Sequence, residues 1–225
     1  MTLLSVQSDA KTIKNTKKGY LTGILYMAPN TISGKGNVCP MATAGCIESC
    51  LYTAGRFGIF SSIQAARIRR TELYFDDRKL FMAMLRGEIA SLLYQAKKKG
   101  LHTAIRLNGT SDVLPNEYIK IMEDHPQVHF YDYTKVATRL TKSLPKNYYL
   151  TLSRSETNDG VCVTALREGY NVAVVFKRLP EYWHGFKVIN GDEYDARFLD
   201  ERGVVVGLKA KGLARQDKSG FVVDN

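Results

Sequence analysis

Three of the four cysteines of this 225-residue chain lie within a single short segment, and this clustering constrains the fold more than any other feature. Cys39, Cys46 and Cys50 belong to residues 37–56, a stretch rich in small residues and glycine that is typical of a loop. Cys46 and Cys50 are four residues apart, so on a helical turn their thiols would share one face, and Cys39 could reach the same point from the preceding loop. Three converging thiols predict a metal site, because soft thiolates favour zinc or iron–sulfur clusters.

The ligand count separates the possible metals. A structural zinc site normally has four protein ligands, and the segment offers no fourth one; the best distant candidate is His129. A cubane iron–sulfur cluster accepts three cysteines if one iron takes another ligand, so we expect a [4Fe–4S] cluster that converts to [3Fe–4S] on oxidation. The remaining alternative is that the three thiols are buried structural groups or form a disulfide. Cys162 lies between apolar residues of a predicted helix and is expected to belong to the core.

Composition and charge narrow the class of protein. The chain is 44% hydrophobic and 24% charged, which is typical of a globular protein, and we expect one α/β domain over residues 1–225. The net charge of +10 favours a polyanionic partner or an anionic substrate, although solubility alone also accounts for it. No apolar run is long enough for a signal peptide or a membrane span. We therefore expect a cytoplasmic protein without membrane contacts, in which structural disulfides are improbable.

Short apolar runs alternate with amphipathic segments along most of the chain. The pattern predicts helices over residues 61–75, 78–99, 116–123, 136–140 and 159–168. It predicts strands over residues 20–27, 103–107, 128–131, 148–152, 171–176, 187–189 and 204–208. This alternation indicates a parallel sheet, and we expect a complete or partial TIM-barrel-like β/α barrel with an N-terminal cysteine loop.

Charged residues are concentrated where the predicted strands end. Ligands of parallel sheets bind beyond the carboxyl ends of the strands. We therefore predict that a cofactor or small anionic ligand is bound beside the cluster by Arg106, Asp132, Lys135, Arg154, Glu156 and Lys209. The alternative is that these side chains pair with one another inside the barrel. A buried arginine such as Arg106 needs a carboxylate partner, for which Asp132, Glu156 and Asp195 are candidates.

A three-cysteine loop that leads into a partial β/α barrel resembles the radical SAM enzymes. The resemblance implies that Cys39, Cys46 and Cys50 hold a [4Fe–4S] cluster and that S-adenosylmethionine binds its open iron. The spacing in this chain is Cys-x6-Cys-x3-Cys, whereas the usual spacing of that family is Cys-x3-Cys-x2-Cys.

A second resemblance covers nearly the whole chain. It is similar to bacteriophage proteins of the gene product 88-like group in residues 37–40, 50–56, 105–112, 131–135, 152–156 and 191–200. This resemblance implies a viral protein of the host-cell cytoplasm and a shared fold, but no particular reaction. The function we predict is that of an iron–sulfur phage protein with a redox or radical SAM-like role. The alternative is a basic, nucleic-acid-associated phage protein with a structural metal.

Overall fold

Nine strands and six helices make up the regular structure of the residues described. The structure is a computed structural model that describes residues 1–7, 10–54, 58 and 60–224, with the backbone only at residues 10 and 11. The strands are β1 Leu4–Val6, β2 Tyr20–Leu25, β3 His102–Arg106, β4 His129–Thr134, β5 Tyr148–Ser153, β6 Val172–Phe176, β7 Tyr182–Trp183, β8 Phe186–Asn190 and β9 Val205–Lys209. The helices are α1 Ala10–Thr16, α2 Ala44–Glu48, α3 Ser61–Asp76, α4 Arg78–Lys98, α5 Asn116–Asp124 and α6 Asp159–Arg167. Gly55 and Arg56, the end of the predicted cysteine loop, lie outside the described residues.

The strands form one mostly parallel sheet in the order β1-β2-β3-β4-β5-β6-β9-β8-β7. The predicted α/β class is confirmed, and the order from β2 to β6 follows the chain, as it does in a β/α barrel. The expectation of a TIM-barrel-like fold is not confirmed, because the sheet does not close. Its two ends are β1 and β7, each antiparallel to its single neighbour among the described strands.

The long helices cover one face of the sheet. Helix α4 begins where the Asp77 carboxylate accepts a hydrogen bond from the Leu80 amide at 2.9 Å, and it ends before Gly100, whose φ of 65° favours glycine. Its apolar side packs into the larger of the core clusters together with α3, α5 and the strands β2 to β4. A second cluster forms around α6 and contains Cys162, which is fully buried, so the prediction that Cys162 is a core residue is confirmed.

Aromatic rings fill the other face of the sheet near the amino ends of the strands. The ring centroid of Phe198 lies 4.8 Å from that of Tyr20 and 4.7 Å from that of His129. Since His129 is the first residue of β4, it lies at the opposite end of the sheet from the cysteine loop. The suggestion that His129 completes a zinc site is therefore wrong.

The structure differs from the pattern-based prediction in two helical segments and in the short strands β1 and β7, which the pattern did not predict. Helix α1 lies in a segment for which the pattern predicted no helix, and residues 136–140 form only the 3₁₀ turn Ala137–Arg139 rather than a helix. In the described part of the chain, no helix combines the length and the apolar composition that crossing a bilayer would require. The strands form an open sheet, and the cysteine loop lies over the edge of the sheet at which the parallel strands end.

Candidate cluster and anion site

All three clustered cysteines line one cavity at the carboxyl edge of the sheet. The cavity has a volume of about 220 Å³, several times the ~30 Å³ that a water molecule takes up in the liquid. Four of the six predicted ligand-binding residues line it as well: Arg106, Lys135, Arg154 and Lys209. The sequence therefore placed the thiols and these four cations at one site, while Asp132 and Glu156 lie outside the cavity lining.

Cys39 is held by its own loop, which follows β2, and by the loop that follows β3. Its thiol accepts a hydrogen bond from the Asn30 amide at 3.3 Å and lies 3.7 Å from the carbonyl of Thr110, to which it can donate. The backbone is held by the Asn37 side chain, which accepts a bond from the Cys39 amide at 2.7 Å. Burial, with smaller contributions from the neighbouring Cys50 and Cys46, raises the pKa of the Cys39 thiol to about 11, although the hydrogen bond from Asn30 acts to lower it.

Cys46 is carried by the short helix α2, whose first turn is held by Glu156. One carboxylate oxygen of Glu156 accepts a bond from the Gly45 amide at 2.8 Å, and the other accepts one from the Thr43 hydroxyl at 2.7 Å. Thr43 in turn caps α2 by accepting a bond from the Cys46 amide at 3.3 Å. Desolvation raises the pKa of Glu156, but these hydrogen bonds lower it more, so the net shift is downward. Glu156, which the sequence suggested as a ligand-binding residue, lies outside the cavity lining, and its contacts position Cys46.

Replacing Glu156 with alanine is expected to loosen the cysteine loop without unfolding the protein. The change removes two hydrogen bonds to a carboxylate, so we expect a loss of about 1–3 kcal/mol in the free energy of unfolding. Iodoacetamide should also label Cys46 faster, as measured by peptide mass mapping. The matched control is Glu123→Ala, which removes an exposed carboxylate from α5. Equal labelling rates in the two variants would contradict the positioning role.

Cys50 lies beyond α2, which ends at Glu48, and it precedes the 3₁₀ turn Leu51–Thr53. The expectation that Cys46 and Cys50 share a helical face is therefore wrong, although both reach the same cavity. Burial raises the pKa of the Cys50 thiol, while the positive charges of Lys135 and Arg67 act to lower it. Arg67 is fully buried beneath the loop, with its guanidinium 5.5 Å from the ring centroid of Tyr52.

Lys135 brings a positive charge to the cavity from the end of β4. Its backbone amide donates to the Asp112 carboxylate at 2.8 Å, and Asp112 is itself paired with Arg139. The Lys135 side chain is half-buried, lies 5.7 Å from the ring centroid of Phe221, and forms no ion pair within the described chain. A partly desolvated ammonium in this position is suited to a negatively charged group.

The C-terminal segment closes one side of the cavity. Arg154 donates to the carbonyl of Gly220 and, at 2.9 Å, to that of Phe221, while its Nε pairs with Asp159. A Cβ atom at Gly45 would collide with Ser219 Oγ, so the helix and this segment are in close contact. Arg154 is thus already engaged, and its role here is to hold the C-terminal segment against the site.

Arg106 is paired with Asp195, one of the three carboxylate partners that the sequence suggested for it. A terminal guanidinium nitrogen lies 3.4 Å from an Asp195 oxygen, and the Tyr131 hydroxyl donates to the same carboxylate at 2.8 Å. Burial opposes the charge on Arg106, but Asp195 and the neighbouring Tyr133 raise its pKa above the ordinary value. This pair lies in the sheet face beneath the cavity, and Arg106 itself contributes to the cavity wall.

Asp132 does not face the cavity. Side chains alternate along β4, so Asp132 lies on the same side as Phe130, which belongs to the helix-facing core. Its carboxylate accepts bonds from the Asn108 amide at 2.7 Å, the Asn108 side chain at 3.0 Å and the Tyr148 hydroxyl at 3.0 Å. The prediction that Asp132 binds a cofactor or ligand is not supported by this placement; it fixes Asn108, which lines the cavity.

Asp132 is expected to make the stability of the protein fall as the pH rises from 5 to 8. Burial raises its pKa from 3.8 to about 7, so between these values the folded protein holds a proton that the unfolded chain has lost. Its contribution to the free energy of unfolding should decrease by about 1.4 kcal/mol per pH unit until the pH exceeds the folded-state pKa. Urea denaturation of the wild type and of Asp132→Asn, which mimics the protonated acid, measures this difference. If the difference were constant across the range, the pKa assignment would be wrong.

An apolar wall that the sequence did not predict completes the cavity. It is formed by Ala173, Val175, Leu208, Ala214 and Phe221. The only available signal was the apolar run at residues 221–223 after a polar stretch, which gives no indication of where that run folds back.

The thiol arrangement is not that of a single-ion site. Within residues 1–7, 10–54, 58 and 60–224, no three His, Cys, Asp or Glu side chains are placed so that they could hold one metal ion. A cubane needs a wider spacing, because each thiolate binds a different iron.

The comparisons with known proteins concern the family and not the reaction. A family model described as Gene product 88 matches residues 2–225. The chain belongs to the gene product 88 family. This confirms the resemblance to the bacteriophage group, whereas the resemblance to radical SAM enzymes receives no support. None of the curated proteins and none of the solved structures compared with this family member matches it.

Proposed function

We propose that this phage protein binds an iron–sulfur cluster through Cys39, Cys46 and Cys50, with a small anionic ligand beside it. The observation that supports the proposal is that three thiols from one loop line the same cavity as five basic side chains, of which Lys211 is paired with Asp192. Thiols gathered in this way are costly as thiolates without a cation, because their negative charges repel one another. A cluster would supply the compensating positive charge.

The charges around the cavity agree with this assignment. Arg106 and Arg154 are paired with Asp195 and Asp159, whereas no ion pair of the Lys135 or Lys209 side chain occurs in the described part of the chain. A four-iron core with two positive charges and three thiolates carries one net negative charge. The two lysines therefore offset the cluster and leave one positive charge for an anion.

A bound cluster with an open iron would supply electron-transfer or Lewis-acid chemistry at that corner. The residues of the chain would hold the three thiolates, exclude water with the C-terminal segment and attract the anion through Lys135. S-adenosylmethionine, bound through its carboxylate, is one candidate ligand. Such a site requires reduced thiols, which fits the host-cell cytoplasm.

Anaerobic reconstitution with iron and sulfide tests the proposal. The expected product is brown, with broad charge-transfer absorption in the visible range and iron and sulfide in nearly equal amounts. Brief exposure to air should convert the cluster to the three-iron form, which is detected by its paramagnetic resonance spectrum. A colourless protein that retains stoichiometric zinc would overturn the assignment.

The net charge of +10 also supports a second candidate function, which is binding to a nucleic acid backbone. This function predicts affinity for duplex or single-stranded oligonucleotides that falls steeply as salt concentration rises. Fluorescence anisotropy at two salt concentrations distinguishes it, and binding that does not depend on salt would argue against it.

A further inference from the structure

The cavity is chemically two-sided. Along the strand order β3-β4-β5-β6-β9, Arg106 of β3 and Lys135 at the end of β4 contribute charge, whereas β6 and β9 contribute apolar side chains together with the exposed Lys209. The apolar wall includes Val175 and Leu208, and Phe221 of the C-terminal segment adds an aromatic ring. A ligand that fills this space contacts charge on one side and hydrocarbon on the other.

Two polar groups on the charged side have spare bonding capacity. The Lys135 ammonium is half-buried next to the Phe221 ring and has no carboxylate partner in the described part of the chain. The Arg106 guanidinium lines the cavity with 13% of its side chain exposed, and its pairing with Asp195 uses only one terminal nitrogen. Cationic donors that are partly removed from water form strong charge-assisted hydrogen bonds with anions, so both groups are expected to bind one.

We propose that the ligand of this cavity is an amphipathic monoanion, a small carboxylate with an apolar body. Its carboxylate binds Lys135 and Arg106, and its body packs against Val175, Leu208 and Phe221. This inference deepens the proposed function and depends on it in one respect: the cluster offsets one of the two lysine charges. One positive charge then remains, which favours a carboxylate over a phosphate dianion.

The first arm of the test uses the metal-free protein, so its result does not depend on the cluster. Phenylacetate and its neutral counterpart phenylacetamide are titrated against the wild type by isothermal calorimetry. Phenylacetate should bind more tightly, and Lys135→Met should weaken it about tenfold while leaving phenylacetamide unchanged, because a charge-assisted hydrogen bond is lost. The matched control is Lys146→Met, which removes an exposed lysine outside the cavity.

A second variant tests the apolar wall. Val175→Thr keeps the shape of the side chain but places a hydroxyl group against the ligand body, so it should weaken both probes by a similar factor. If phenylacetate and phenylacetamide bind the wild type equally, or if Lys135→Met behaves like Lys146→Met, the carboxylate subsite is wrong. If Val175→Thr affects neither probe, the apolar half of the site is wrong.

The second arm uses the reconstituted protein and compares phenylacetate with inorganic phosphate. The paramagnetic resonance spectrum of the reduced cluster should respond to phenylacetate at lower concentration than to phosphate. A stronger response to phosphate would overturn the monoanion assignment. If no cluster assembles but Lys135-dependent binding of phenylacetate persists, then the proposed function fails while the ligand subsite stands.

Discussion

Replacing any one of Cys39, Cys46 and Cys50 with serine is expected to reduce cluster-bound iron to background after anaerobic reconstitution. A cubane with one open corner already has the fewest protein ligands that hold it in place, and a serine hydroxyl stays protonated where a thiol can ionise. Each variant would leave only two thiolates. Iron and sulfide content per chain, together with visible absorption, measures the loss.

The matched control is Cys162→Ala. Cys162 is fully buried in the core around α6, burial raises its pKa to about 12, and it does not line the cavity. This variant should lose some stability through the cavity that it creates but keep its full iron content. Loss of iron from folded Cys162→Ala, or retention of iron by folded Cys46→Ser, would contradict the assignment of ligands.

Helix α4 was predicted well because the side chains that it buries are apolar. Helix α4 has a 3.6-residue period of apolar residues with Asp77 before it and Gly100 after it, so pattern and end signals agree. Helix α1 was missed because its buried residues include Thr12 and Asn15, which are polar. Asn15 is buried because its side chain bonds Thr22 and the Asp195 amide, and no pattern of hydropathy reveals such partners.

The sequence could predict most of the strands, but it could not predict whether their sheet closes into a barrel. The alternation correctly indicated parallel pairing from β2 to β6, since each crossover returns the chain to the next strand. What keeps the sheet open is local: β1 and the two-residue strand β7 pair antiparallel with their neighbours and form its two edges. Strands of two or three residues carry too little periodicity to be recognised from sequence.

The residues of the site could be predicted from the sequence where they lie at the carboxyl ends of strands. Arg106 and Lys209 end strands, Lys135 and Arg154 follow them, and carboxyl ends of parallel strands meet at one edge. Asp132 was misplaced because it lies inside β4, where alternation decides which face a side chain occupies. Phe221 reaches the cavity from a distant part of the sequence, and no local sequence pattern predicts that contact.

Replacing Asp195 with alanine is expected to cause the largest loss of stability of any single substitution in the sheet face beneath the cavity. Asp195 is 2% exposed, accepts from Tyr131 and is the carboxylate partner of buried Arg106. Removing it leaves a positive charge without compensation in a poorly solvated position, which costs about 3–5 kcal/mol. Chemical denaturation of the wild type and the variant measures this loss as a shift in the midpoint.

A double-mutant cycle separates the charge effect from the loss of packing. In Arg106→Met with Asp195→Ala, the unpaired charge is gone, so the double variant should be more stable than Asp195→Ala alone. The exposed pair of Arg86 and Asp124 is the control, because its members are screened by solvent and Asp124→Ala should have little effect. If the double variant were no more stable than Asp195→Ala, the cost would lie in packing or in the Tyr131 hydrogen bond, and the buried ion pair would not be the element that holds this face of the sheet together.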